Sequence, residues 1–216
     1  MPKKPLTTIT PREGLSRRLD VNALISASAE IIDREGIGAL TLTVLARALG
    51  VKPPSLYAHM HSLDDLQQKV AVFGLQELER AILQAGFGKS GENAVRSLCF
   101  AYRDFAHSRP GVYAASYLWL KPDTAEVRET TKRFGEVVMQ IMEPLFVGLS
   151  RADRVHRLRI IRVALHGMVG LEQAHAFWEP VEVDKTFEHM LDMLIDMATA
   201  RRPPKRRLPD GLKTVV

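Results

Sequence analysis

From Asp20 to Ala200 apolar residues return with helical spacing, and no stretch alternates β-branched side chains in the two-residue rhythm of a strand. This pattern restricts the chain to helices packed on helices, because each segment carries one apolar stripe and must bury it against another of the same kind. The expected fold class is all-α. Size permits it: 216 residues, 46% hydrophobic and 25% charged, suffice for one large domain or two small ones.

The boundaries carry chemical markers. Asp20 is placed to cap a helix with the apolar face Val21, Leu24, Ile25, Ser28, Ile31 and Ile32, ending in EGIGAL, where glycines tolerate the backbone a helix end requires. A second, short helix starts at Thr41 to Thr43, buries Leu42, Leu45, Ala46 and Leu49, and stops at Gly50. A third begins at Pro53 and Pro54, since proline is harmless in a first turn whose N–H groups have no helical partner. Ser62 with Asp65 forms an S-x-x-D capping arrangement for a long fourth helix reaching about Gln84. Beyond GFGKSGEN, helices are expected from Asn93 to Ser108 and from Gly111 to about Trp119. A long one capped by Asp123 and bent at Pro144 follows, then Ser150 to Ala176 and Asp184 to Ala200. Met1 to Leu19 reads as a mobile basic arm, and residues 201–216 as a second basic, proline-broken tail.

The most informative stretch is LARALGVKPPSLYAHMHSLDDL, Leu45 to Leu66. A helix stopped by glycine and followed at once by another short helix is helix-turn-helix geometry, in which the second helix can lie in a DNA major groove. Val51 plugs the turn toward Leu45 and Leu49, and Leu56 and Met60 sit four apart on the inward face of the third helix. Lys52, Pro53, Ser55, Tyr57, Ala58, His59 and His61 are left toward solvent: hydroxyls and imidazoles can donate to phosphates, while Ala58 and the prolines can touch thymine methyls. On the residues alone, a generic helical hairpin in which Tyr57 and His59 only finish the packing stands beside the DNA-binding reading.

From about Leu19 to Leu66 the chain resembles the N-terminal domain of the TetR family of transcriptional repressors, in IDREGIGALTL, LARALGV, PSLYAHM and LDDL, in that family's order and spacing. The resemblance implies a three-helix DNA-binding domain at 20–66, with a larger ligand-binding and dimerisation domain at 67–200. It implies phosphate contacts from Thr43, Ser55, Tyr57 and His59, and base contacts from Lys52, Pro53, Pro54 and Ala58. Arg47 is a further DNA-binding candidate, set against a purely solvent-facing role. One departure is Leu63, where the family usually has a phosphate-contacting lysine; Arg17, Arg18 or the arm would have to replace it.

In the larger half, SRPGVYAASYLW and ALHGMVGLEQAHAFW resemble a C-terminal subclass of TetR-like regulators named for a Trp and a His-Gly signature, the WHG type. This implies a small-molecule effector and dimerisation. Large or soft apolar groups, among them Trp119, Met142, Met168, Trp178 and Met190, supply core, interface or cavity wall. A mostly apolar ligand is expected between the helices carrying Tyr113, Tyr117, Phe134, Met139 and His166. The last two long helices are expected to form a homodimer interface through Leu158, Ile161, Leu165, Met190, Leu191 and Leu194.

Other classes find little support. A net charge of +5 and a pI near 9.5 favour a polyanionic partner such as double-stranded operator DNA. Cys99, alone, reads as a core thiol; with no signal peptide and no apolar run long enough for a bilayer, a cytoplasmic protein without membrane contact is expected. His156, His166, His175 and His189 lack tight ligand spacing, so neither metal nor cofactor is expected. Glu172, His166 and His175 could be drawn as acid and base, but no nucleophile elbow or phosphate-cradling loop accompanies them, and the chain reads as no enzyme. The rival that remains is a helical protein-interaction scaffold without sequence-specific DNA binding.

Overall fold

The computed structural model describes residues 19–200, and among them the regular structure is helical throughout. The arm and tail expected at the two ends lie outside the described residues, except Leu19, which packs against the core. The helices are α1 (Val21–Glu35), α2 (Leu42–Leu49), α3 (Pro53–Leu56), α4 (Leu63–Gly86), α5 (Gly91–Ser108), α6 (Pro110–Leu118), α7 (Ala125–Met142), α8 (Arg151–Gln173) and α9 (Val183–Thr199).

Caps fix most of the starts. Asp20 accepts from the Ala23 amide at 2.8 Å, Thr41 from Val44 at 3.2 Å, and Ser150 from Asp153 at 3.2 Å. At α4 the arrangement is reciprocal: Ser62 Oγ accepts from the Asp65 amide at 3.0 Å while Asp65 Oδ2 accepts from the His61 amide at 3.1 Å. Three expectations need correction. Thr124, not Asp123, caps α7, because its hydroxyl reaches the Val127 amide at 3.2 Å. Pro144 does not bend that helix: α7 ends at Met142, and Glu143–Leu145 form a separate 3-10 turn in which the proline's missing donor is tolerated. The third helix is one turn, Pro53–Leu56, followed by a turn at residues 57–59, so Met60 reaches the core from outside it.

One continuous core runs through the molecule, from Leu24, Leu45, Leu56 and Leu66 to Phe105, Val112, Phe146, Leu165 and Phe187. The long helix α4 is its axis, packing on α1, α5, α6 and α7. Two glycines permit the closest approaches: a methyl group on Gly74 would meet the Val112 carbonyl oxygen at 2.8 Å, and one on Gly111 would meet the Ile32 carbonyl at 2.2 Å. The start of α6 is thereby pressed against the end of α1. Asp33 on α1 completes that seam by accepting from the Val112 amide at 2.9 Å and from Arg109 Nε.

Ion pairs hold the far end. Arg103 on α5 grips Glu172 on α8 through two nitrogens and Asp184 on α9 at 2.7 Å, and its guanidinium stacks 4.6 Å from the Phe187 ring centre. His107 Nε2 lies 2.6 Å from the other Glu172 oxygen, so that carboxylate is occupied by structural partners. Buried Arg157 on α8 donates to the carbonyls of Met197, Ala198 and Ala200 at 2.5, 2.5 and 2.6 Å, closing the C-terminus of α9 with a positive charge.

Candidate functional site

Gly50 makes the turn between α2 and α3. Its φ of 67° and ψ of 26° lie in the left-handed region, and its amide donates back to Ala46 and Arg47. Val51 follows half-buried, its amide 3.0 Å from the Ala46 carbonyl, and Leu45, Ala46, Leu56 and Met60 are buried beneath. What remains outside is the set singled out in the sequence. Thr43 and Arg47, one turn apart, are exposed on α2; Lys52, Pro53, Pro54 and Ser55 are exposed at the start of α3. Tyr57, 54% exposed, and Ala58 follow in the turn, while His59 is half-buried.

Among the described residues no side-chain hydrogen bond or ion pair occupies Thr43, Arg47, Lys52, Ser55, Tyr57 or His59, whereas Arg34, Arg80, Arg96, Arg103, Arg109, Arg133 and Arg154 all engage carboxylates. Donors held out to solvent at a rigid turn are available to phosphate oxygens. Leu63 is half-buried against the core as the first residue of α4, so it presents no charge there.

The residues expected around a ligand separate into two groups. Tyr113, Tyr117 and His166 come together: the Tyr113 hydroxyl lies 2.6 Å from His166 Nδ1 and 2.8 Å from the Tyr102 hydroxyl. The Tyr117 ring stands edge-on to His166 and to Tyr113, with centroids 4.7 and 5.3 Å apart. Burial pushes the Tyr113 hydroxyl well above the usual phenol range, and Tyr102 beside it supports the neutral form, so the pair is a fixed hydrogen-bond element. Tyr102 was missed in the sequence: it stands eleven positions before Tyr113 on a facing helix, and nothing in its own segment distinguishes it from a core aromatic. Phe134 and Met139 are half-buried on α7, packed against the core. Met142 and Met168 are core residues, and Trp178 is 88% exposed.

Two open grooves mark the surface elsewhere. One of about 570 Å³ is lined by α1 residues with Phe73 and Arg109; the other, about 700 Å³, lies between α4 and α5 beside Lys89 and Phe100. Cys99 is buried, and desolvation pushes its thiol up to about 12, so it stays an unreactive core group.

The helices expected to carry an interface expose a different stripe from the one named in the sequence. Ile161, Leu165 and Leu191 are buried inside the chain, and Leu158, Met190 and Leu194 are partly buried against its core. Exposed instead are Ile160, Val163, Gly167, Gly170 and Leu171 along α8, with Met193 on α9. Both sets have helical spacing; only packing tells them apart. No helix among the described residues is long and apolar enough to cross a membrane, and none of them form a cluster that could hold a metal ion.

Comparison with known proteins agrees with this geometry. The family described as "Tetracyclin repressor-like, C-terminal domain" matches residues 95–194. An uncharacterised HTH-type transcriptional regulator of Bacillus subtilis, YobS, is 31% identical over 171 residues, covering 78% of this chain and 85% of its own. Among solved structures, a protein of unknown function from Rhodococcus sp. RHA1 superposes with a TM-score of 0.70 at 19% identity, covering 87% of this chain and 97% of its own. BioQ bound to its double-stranded DNA operator superposes with a TM-score of 0.59 at 24% identity, over 85% of this chain and 100% of its own.

Proposed function

The chain belongs to the TetR family of transcriptional regulators, and from that premise we propose that it is a repressor that grips a two-fold operator as a homodimer and lets go when a small, mostly apolar ligand binds. The observation that carries the DNA end is the unpartnered donor set on α2, α3 and the following turn, over a turn fixed by Gly50. Thr43, Ser55, Tyr57 and His59 hold phosphates; Lys52, Pro53, Pro54 and Ala58 read bases; Arg47 adds a cation to the same surface. That a structural neighbour was solved with its operator supports the assignment.

One short recognition helix covers few base pairs. A two-fold pair reading half-sites about 34 to 36 Å apart multiplies the specificity. The exposed apolar and glycine stripe on α8, with Met193 on α9, is the surface on which two subunits meet in a four-helix bundle. The effector binds against Tyr113, Tyr117 and His166, with Phe134 and Met139 on the α7 side. Of the 18 residues of α7 only Val127 and Met142 are fully buried, whereas α5, equally long, buries eight, which makes α7 the wall that yields. The Trp119 and His166–Gly167 signature keeps the WHG subclass part of this reading.

The signal runs along α4, whose Val70, Leu78 and Ile82 are buried and which packs on α1 as well as on α5, α6 and α7. A shift of that lever changes the separation of the recognition helices, and a coupling of about 1 to 3 kcal/mol weakens operator binding roughly 5- to 150-fold.

Fluorescence anisotropy on operator and competitor duplexes over a salt series tests the DNA end. Tyr57→Phe should weaken both duplexes alike, roughly 2- to 10-fold, and Lys52→Ala should change the preference between them. Salt-independent or absent DNA binding would replace this reading with the helical scaffold.

A further inference from the structure

The order of hydrogen bonds beneath the proposed effector site restricts what can enter it, and this step rests on the reading of α6 and α8 as that site. Tyr102, Tyr113 and His166 form a chain of three polar groups, with an O···O distance of 2.8 Å and an O···N distance of 2.6 Å. Each phenol owns one proton, so the chain can run in two directions. If His166 donated inward from Nδ1, Tyr113 would donate to Tyr102, and the Tyr102 proton would be left in the core. Among the described residues no other hydrogen-bond partner for that hydroxyl is found, and Tyr102 is only 9% exposed. An unpaired buried donor is the costly outcome.

Running outward, Tyr102 donates to Tyr113 and Tyr113 donates to His166 Nδ1, so every proton is used. The imidazole then accepts at Nδ1 and carries its proton on Nε2. His166 is itself exposed, so that second nitrogen is a donor fixed at the surface end of a buried chain.

Two neighbours complete the setting. Tyr117, 37% exposed, stands edge-on to the imidazole at 4.7 Å and offers an aromatic wall. Arg162 lies one turn before His166 on α8, on the flank between the buried face and the exposed Ile160, Val163 and Gly167 stripe. It is exposed and has no ion-pair partner among the described residues, and its charge acts on both buried phenols. The close packing of α8 is on α5 and α9, and α6 reaches it through these rings.

We propose that His166 and Arg162 form an oxygen-recognition subsite for an effector bearing a carboxylate on an aromatic or aliphatic body, with the body against Tyr117. The Nε2–H and the guanidinium both donate, and no carboxylate among the described residues is paired with either, so a basic ligand would find no anionic partner there and would be repelled by the guanidinium.

The test uses the full chain and two matched pairs of probes, 2-naphthoate with 2-naphthamide and decanoate with decanamide, measured by isothermal titration. The carboxylate of at least one pair should bind ten-fold or more tightly than its amide. Arg162→Gln, at an exposed and unpaired position, should bring that ratio near one while the thermal melt stays unchanged. His166→Ala, checked by the same melt, should reduce it in the same sense. A wild-type ratio near one for both pairs, or a ratio that Arg162→Gln leaves intact, overturns the proposal. The same compounds are run against genomic DNA fragments retained by the protein. Release of DNA by an amide, with no carboxylate preference, would leave the ligand-responsive reading standing and remove this subsite. Selective carboxylate binding that never alters DNA retention would keep the subsite and remove ligand release.

Discussion

Ser28 sits fully buried on the inner face of α1, and among the described residues its hydroxyl oxygen is the buried side-chain atom with no hydrogen-bond partner. Replacing it with alanine removes an unsatisfied polar group at little cost in volume, so Ser28→Ala should stabilise the fold by about 1 kcal/mol and raise Tm by about 2 to 4 °C. A lower Tm in differential scanning calorimetry would mean that the hydroxyl is satisfied. Asp65 tests the opposite case. Partial burial by itself would raise its carboxyl, but the hydrogen bond from Lys69 at 2.5 Å and the one from the His61 amide outweigh it and hold the group below its ordinary value of 3.8. A depressed folded value means that its contribution is complete above the ordinary value and disappears as pH falls through the folded one. Asp65→Asn should therefore destabilise by about 1 kcal/mol or less near neutrality, and its urea midpoint should converge on that of the parent below that window. A difference that persists unchanged at low pH would rule out the charged cap as the cause.

At the scale of elements, the seam between α1 and α6 joins the helix-turn-helix unit to the rest. Gly111 allows the α6 backbone to approach the end of α1 more closely than any Cβ permits, since its nearest neighbours would be backbone atoms of Ile32 and Asp33. Backbone cannot step aside as a side chain can, so Gly111→Ala must part the two helices and strain the Asp33 bonds to Val112 and Arg109. The expected loss is about 1 to 3 kcal/mol, measured by denaturant titration. A neutral substitution would show that this seam is looser than its geometry implies.

For the whole molecule the decisive surface is the stripe on α8. Val163 is 72% exposed within one chain, so a charge there leaves the subunit's own core intact but would be buried without a partner in a two-fold bundle. Val163→Asp should sediment as a monomer with an unchanged far-ultraviolet spectrum. Its operator affinity should fall by about 100-fold or more, because each half-site is then bound alone. A stable dimer in that variant would place the interface elsewhere.

The starts of α1, α2, α4 and α8, the Gly50 turn and the inward set Leu45, Leu56 and Met60 were readable along the chain, because caps, turn chemistry and the 3.6-residue stripe act over a few residues. The exposed candidates on α3 and in the turn after it followed from the same stripe by subtraction, whereas Thr43 on α2 came only from the family resemblance. Four features could not be read so. Thr124 rather than Asp123 caps α7, a choice between neighbours that only backbone geometry settles. Tyr102 joins Tyr113 and His166 across three helices, and the Arg103, Glu172 and Asp184 pairs close α5 on α8 and α9. On α8 the sequence determined that two apolar stripes exist, Ile161 with Leu165 and Ile160 with Val163, but not which one the subunit buries. Periodicity defines faces only relative to one another; the neighbours that a helix meets in three dimensions decide which face is core and which is left for a partner.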